Sequence, residues 1–506
     1  MLSNRNSATT IAKNTVYMFF RMLLVAAVSF YTSRVILEVL GVEDYGIYNI
    51  VGSVVVFLSF FKNALTNATY RYIAYDLGNG DRVHLKKLFS MSLIAHCILA
   101  IILFVVLEIG GVWFLNNKLN IPDGRIYAAN WVFQFSLLTF CIEVIKTPYN
   151  SMIIANERMS FYAWTSIIEV VLKLGIVYLL QCVNIDKLIL YALLLSVVSL
   201  MMYIWYKLYN NRHFEETIYK YYWDKVMLKD LISYSGWSVV VNAADVSVTQ
   251  CISVFLNLFF GVVANAAMGI ANQVNALLGQ FLNAFSTSYN PQIIKSYASG
   301  DYDYFMKLLF STSKLSFFLT FAIAFPIMLN IEYILRIWLG NPPEMAGIFL
   351  ICIACYLLID SFSVPLWNAV HATGNLKTHQ ILMSCIKILN IPLGYWLLSQ
   401  SYPSYSILIL YATLNGICAI VRIIYLKSLI SLKIWRFFRE VLFKLLIVTI
   451  VSIPLPMYIH CYMHQIHPMI VLIVSSATFF FIYGLCVYFI GLSQQEKTLA
   501  FKIIRK

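Results

Sequence analysis

Charge is scarce in this sequence. Only 12% of its 506 residues are Asp, Glu, Lys or Arg, while 61% are hydrophobic. Soluble domains carry roughly 25% charged residues, so a chain this poor in charge could not cover a water-facing surface. Intrinsic disorder is excluded as well, because disordered chains are poor in apolar residues. No G-x-x-x-x-G-K-[ST] occurs, which removes an ATP-driven motor from consideration. Long polar linkers are missing too: the longest separator between apolar runs, Tyr209 to Asp230, leaves no room for a soluble domain. No outer loop is long enough to house a glycan polymerase or ligase site. The first thirteen residues are polar and the first apolar run contains Arg21, unlike a cleavable signal peptide. The first helix is therefore expected to remain as a span.

What is present is apolar and aromatic. A spanning helix needs about 20 apolar residues, and fourteen candidate runs fall near 14–37, 46–70, 88–115, 126–150, 160–182, 187–209, 231–259, 262–289, 308–331, 345–371, 378–399, 404–427, 441–461 and 467–490. They are continuous and about twice as long as the alternating segments of a membrane β-barrel. The expected fold is an all-α polytopic membrane protein. The 34 Tyr, 35 Phe and 10 Trp fit the interfaces that such a chain crosses repeatedly.

The net charge of +13 is distributed unevenly. With the N-terminus inside, twenty-four basic residues fall on inner separators, including Arg82, Lys86, Lys87, Lys146, Lys220, Lys433 and Arg436. Only Arg34, Lys118, Arg125, Lys187 and Arg336 fall on outer ones. This positive-inside bias predicts two cytoplasmic termini and accounts for the excess charge without a nucleic-acid partner.

The sequence also repeats at an offset of 220. Gly41, Phe61, Asn63, Ala64, Gly80 and Asp81 recur as Gly261, Phe281, Asn283, Ala284, Gly300 and Asp301. The predicted organisation is an N-terminal six-helix lobe (1–212), a C-terminal six-helix lobe (213–430) and two additional helices with a cytoplasmic tail (431–506). Parallel repeats of this kind occur in transporters, with the substrate site near the interface of the halves.

A Lys, Arg or Asp at the bilayer centre costs about 2.5–3.5 kcal/mol, so each needs a partner or a wet cavity. Arg21, Lys62, Lys173, Lys314 and Lys387 lie within predicted spans, and Arg71 and Arg422 near inner ends, where snorkelling is the plain reading. Glu169 and Lys173 are spaced i, i+4 and Glu143 and Lys146 i, i+3, so each pair can neutralise itself on one helix face. Arg21, Lys62, Lys314 and Lys387 have no local partner in sequence. Converging, they would form a cationic vestibule attractive to anionic head groups. Asp245 and Asp360 could relay protons, bind a sodium ion or pair with one of these cations, and the Glu169–Lys173 pair could be gated by substrate or by a proton. Pro326, Pro365, Pro392, Pro454 and Pro456 interrupt spans and can kink helices around a cavity. All ten cysteines lie in or beside apolar runs, Cys352 and Cys355 being one turn apart on a helix. His460, His464 and His467 lack an accompanying acid or thiolate. Neither group is read as a metal site, and no cofactor is expected.

The segment Ser33-Arg-Val-Ile-Leu-Glu-Val-Leu-Gly-Val-Glu-Asp-Tyr-Gly-Ile-Tyr-Asn-Ile-Val-Gly resembles the first-to-second-span region of bacterial O-antigen and polysaccharide flippases. Those proteins share a superfamily with MATE drug exporters and the lipid II flippase. Arg21, Asn156-Glu-Arg-Met and Pro291-Gln-Ile-Ile-Lys-Ser-Tyr-Ala-Ser-Gly-Asp are similar to that group as well. The resemblance implies translocation of an undecaprenyl-pyrophosphate-linked oligosaccharide from the cytoplasmic to the periplasmic leaflet of a bacterial inner membrane, by alternating access. It also implies a cationic cavity for the head group, matched here in character by Arg21, Lys62, Lys173, Lys314 and Lys387 with Arg71 and Arg422 as further candidates, and a polysaccharide polymerase and chain-length machinery as partners besides the membrane lipids. The last two spans resemble the extra pair that forms a lipid-tail groove in the lipid II flippase. Two other functions are open: a MATE-like exporter of organic cations, and a non-transporting scaffold, which would gain nothing from buried cations.

Overall fold

The computed structural model describes residues 2–79, 81–156, 158–183, 185–298, 300–373, 376–463, 466–494 and 496–497. Among the described residues all regular structure is helical. In hydrocarbon no water is available to the backbone, and a helix satisfies its own N–H and C=O groups. Hydroxyl side chains do the same locally: Thr32 donates to the Val28 carbonyl (2.7 Å), and Ser33 to that of Ser29 (2.8 Å). Among the described residues twelve helices are long and apolar enough to cross a membrane, and the protein is a multi-pass membrane protein.

The chain divides into two compact units, Met1–Gly269 and Ile270–Lys506. The first contains α1 (Leu2–Val56), α2 (Ser59–Asn79), α3 (Arg82–Val106), α4 (Val112–Asn117), α5 (Ile126–Ala155), α6 (Met159–Gln181), α7 (Lys187–His213) and α8 (Lys225–Ala298) as far as Gly269. Among the described residues the fourteen predicted spans become twelve long apolar helices because α1 takes up the first predicted span and the front of the second (46–70, the rest lying in α2), and α8 takes up 231–259 and 262–289. Each is two helices joined at a glycine, Gly41 (φ 80°, ψ 170°) or Gly261 (φ 74°, ψ −169°). Both glycines fall where the sequence places the separators.

Helix α5 touches α1, α2, α3 and α7. Its buried Val132, Phe133 and Leu137 pack with Ile47, Val51 and Leu103 into the core of the first unit. Outside that core, Ile101, Trp131 and Val171 are exposed, as lipid-facing residues are. The separators are ordered by capping. Asp81 accepts from the His84 N–H (2.9 Å) at the start of α3, and Asp186 from Leu188 (3.1 Å) at the start of α7.

The second unit holds α9 (Tyr302–Leu329), α10 (Ile331–Leu339), α11 (Ala346–Thr373), α12 (Leu376–Ile388), α13 (Asn390–Ser399), α14 (Ser406–Ile430), α15 (Ile434–Phe437), α16 (Phe443–Ser452), α17 (Pro454–Tyr462) and α18 (Pro468–Cys486). Helices α9 and α14 flank α11. Its core is aromatic: Phe318, Phe321 and Phe325 of α9 meet Phe479 and Tyr483 of α18, and the Tyr483 hydroxyl donates to the Phe318 carbonyl (2.7 Å). The last two predicted spans thus dock on α9. Of the five prolines, Pro326 and Pro365 lie inside unbroken helices. Pro392 and Pro454 follow breaks at Leu389 and Ile453. A proline ring displaces the carbonyl four residues back, and the chain yields just upstream of these two.

Candidate functional site

The interior of the first unit gathers most of its membrane-embedded charge. A cavity of about 420 Å³ is lined by Lys62 of α2, Glu143 of α5 and Lys173 of α6, with Asn63, Tyr48 and Tyr191 among its polar walls. Packing of α5 against α2, α3, α6 and α7 holds these side chains at the edge of the core.

Lys173 donates to Glu169 at 2.6 Å, and Lys146 is bonded to Glu143, as the i, i+4 and i, i+3 spacings anticipate. Lys146 is only 12% exposed. It sits over the Tyr206 ring at 5.5 Å and acts electrostatically on Glu169. The positive-inside count assigned it to orientation, but its side chain belongs to the interior network. Arg21 of α1 lies over Tyr162 at 4.6 Å and is also within electrostatic reach of Glu169. Four cations (Arg21, Lys62, Lys146 and Lys173) thus face two carboxylates, and the network is net positive.

Lys62 differs from the others. Its amine forms no hydrogen bond or ion pair among the described residues, and Glu143 and Lys146 act on it only through space. Next to it lies His96 of α3, fully buried; its Nδ1 bonds the Ser92 carbonyl at 2.8 Å and its Nε2 has no partner. Sequence reasoning missed His96, since a single histidine in an apolar run carries no signal of its own. A cation that no carboxylate binds directly, in a cavity of low dielectric, attracts anions more strongly than it would in water.

The predicted residues of the second unit are disposed differently. Lys314, without a local partner in sequence, finds one 182 residues away: its amine reaches Glu496 at 2.9 Å and the Gly491 carbonyl at 3.4 Å. That pair is buried, with side-chain exposures of 5% and 14%. Arg422 does not snorkel. It is buried, bonding Ser363 and donating from Nε to His379 Nε2 at 3.2 Å. Packing against α11 and α12 supplies acceptors that make a reach for water unnecessary. Lys387 is half-buried on α12, and Asp360 half-buried on α11. In the first unit, Arg71 and Asp245 are exposed.

The histidine trio is split: His460 bonds the Asn330 side chain (3.2 Å), His467 caps α18, and His464 lies outside the described residues. Among the described residues no group of three His, Cys, Asp or Glu is placed to hold a metal ion.

Comparison with known proteins follows this architecture. The MatE family profile matches residues 238–396. The chain is 21% identical over 380 residues to the uncharacterized membrane protein EpsK of Bacillus subtilis (strain 168), covering 74% of each. Among solved structures it is similar to an outward-facing multidrug resistance MATE family transporter of the MOP superfamily. There the TM-score is 0.58 at 15% identity, over 83% of this chain and 96% of that one. It is also similar to the lipid II flippase MurJ in an inward closed conformation, with TM-score 0.65 at 12% identity, over 94% of this chain and 98% of that one. The fold of this chain is the one those two structures share.

Proposed function

We propose that the protein is a transporter that flips a lipid-pyrophosphate-linked oligosaccharide from the cytoplasmic to the periplasmic leaflet of a bacterial inner membrane, for cell-surface polysaccharide synthesis. The observation that carries this reading is the unpaired Lys62 amine in a net-positive cavity inside a membrane bundle. Its electrostatics favour an anionic head group. The doubly charged linkage of a lipid pyrophosphate would take Lys62 directly and compete with Glu169 for Lys173, so that binding exchanges one ion pair for another. Alternating access of two six-helix lobes would carry the head group across, with the lipid tail remaining in the bilayer. The likeness to the lipid II flippase extends over 94% of this chain, against 83% for the MATE transporter. That difference supports a lipid-linked cargo.

The test is flipping of a fluorescent lipid-pyrophosphate glycan by the purified protein in vesicles. Loss of flipping on Arg21→Glu or Lys62→Glu, with the thermal transition retained, is expected. Normal flipping in both would overturn the reading.

A second reading, ion-coupled export of organic cations, is favoured by the MatE profile match and the likeness to the MATE transporter. Gradient-driven uptake of an organic cation into inverted vesicles, with no flipping, would establish it in place of the first. The net-positive cavity speaks against such a cargo.

A further inference from the structure

A second basic pocket lies at the polar end of α3, away from the interior network. The separator after α7 does not hang free. Its short 3₁₀ turn, Glu215–Thr217, packs on α3 with Glu216 and Thr217 buried. Arg82 binds the Glu216 carboxylate, and the Lys220 N–H reaches the Ser90 hydroxyl at 3.4 Å. Strapped down in this way, the segment closes one wall of a pocket of about 440 Å³ that also exposes Lys86, Lys87 and Lys220.

The charges of this pocket are unequal. Four cations line it against Glu215 and Glu216, and Glu216 is already taken by Arg82. Lys87 rests over the Tyr222 ring at 5.3 Å, with the hydroxyl of that tyrosine donating to Asp224 (3.2 Å). Lys86 and Lys220 make no ion pair among the described residues. Along the strap, Tyr219, Tyr221 and Trp223 are 47%, 77% and 42% exposed, and Val83 is 69% exposed, with Tyr221 and Val83 also at the pocket wall. Aromatic rings exposed beside a cluster of basic residues at the end of a membrane bundle are suited to the headgroup layer. The rings occupy the interface and the amines meet phosphate.

We infer that this pocket binds the phosphate of an anionic phospholipid, with Lys86 and Lys220 as the phosphate ligands and the aromatic strap seated among the neighbouring headgroups. The exposed rings select a lipid over a soluble phosphate ester, since they gain only if the phosphate is carried by a membrane. The inference is independent of the cargo, because it concerns a separate pocket and a resident lipid.

The test is native mass spectrometry of the full chain released from mixed micelles of phosphatidylglycerol and phosphatidylcholine. Preferential retention of phosphatidylglycerol is expected, falling about fivefold for each lysine removed in Lys86→Gln and Lys220→Gln and persisting in Lys86→Arg with Lys220→Arg. A control at another basic surface, Lys433→Gln, should keep the full retention. Should the double glutamine variant lose its thermal transition, Lys220→Gln alone, altered at an exposed side chain, gives the same comparison. Three outcomes would overturn the inference: equal retention of both lipids, retention unchanged in the glutamine variants, or a loss in the control as large as theirs. Displacement of the lipid by an equal concentration of glycerol phosphate would overturn the choice of lipid over soluble ester.

Discussion

Gly41 and Gly261, 220 residues apart, adopt the same backbone conformation, with φ of +80° and +74° and ψ close to 180°. Each joins two helices that would otherwise run on as one. Left-handed φ costs an L-residue about 1–2 kcal/mol. An added Cβ would meet nothing within 4 Å at Gly41 and only the Asn120 amide, at 3.8 Å, at Gly261. Space is therefore not the constraint; the backbone angle is. Gly41→Ala and Gly261→Ala should each lower the thermal midpoint in detergent by an amount corresponding to about 1–2 kcal/mol. Gly52→Ala, in an open helical position, should not.

Gly46 is constrained by space instead. A Cβ there would lie 2.0 Å from the carbonyl oxygen of Val262, whereas at Gly269 it would meet the Asn49 side chain at 2.6 Å. A carbonyl in a helix cannot turn aside, but an amide side chain can rotate at the cost of its bond to the Tyr45 carbonyl. Gly46→Ala should therefore depress folded yield more than Gly269→Ala, as measured by the monodisperse fraction on size exclusion.

The Glu169–Lys173 pair separates a structural role from a functional one. Only Lys173 lines the cavity. Exchanging the two residues (Glu169→Lys with Lys173→Glu) keeps the ion pair but turns a carboxylate toward the site. Thermal stability close to wild type with flipping lost is the expected outcome. Retained flipping would mean that the cavity charge at this position is irrelevant to transport.

Lys314 and Glu496 predict a pairwise effect. Removing one partner of a buried pair leaves the other charge uncompensated, at about 3–5 kcal/mol. Lys314→Met or Glu496→Gln should thus destabilise strongly, and Lys314→Met with Glu496→Met should recover much of the loss. Burial alone would raise the Glu496 carboxyl, but bonds from Ser311, the Ser493 N–H and Lys314 outweigh it and hold the group below its ordinary value of 4.5. Its contribution is therefore complete above pH 4.5 and is lost as the pH falls through the depressed value. Limited proteolysis of the C-terminal tail should accelerate on acidification in the wild type. In Glu496→Gln it should be fast at every pH.

Much of the architecture was legible in the sequence because membrane helices announce themselves by length and by apolar composition; most long helices follow those runs, whereas the run 46–70 is broken at Phe57–Leu58 and α10 and α15 fall in separators. Glu169 with Lys173 and Glu143 with Lys146 were legible for a related reason: their partners are local, and spacing alone brings them together. Partners distant in sequence were not. Nothing in the vicinity of Lys314 indicates that Glu496 will arrive from the chain's end, nor that Ser363 and His379 will hold Arg422 away from water. Spacing paired Lys146 with Glu143, but its further reach to Tyr206 and Glu169 was not legible, because those partners lie on other helices. His96 gave no signal at all, its burial being a product of packing.

Arg125 binds Asp44 and Asp186 together, with its Nε 2.8 Å from Asp44 and its Nη1 2.7 Å from Asp186. Nearby, Asn120 and Asn257 exchange hydrogen bonds of 2.8 and 3.2 Å. Four separate stretches of the first unit are thereby joined at one end of the bundle by polar contacts. A bundle stiffened at that end transmits force rather than absorbing it. The turn at Phe57–Leu58, where α1 gives way to α2, lies outside that cluster and is the helix break nearest to Lys62 along the chain.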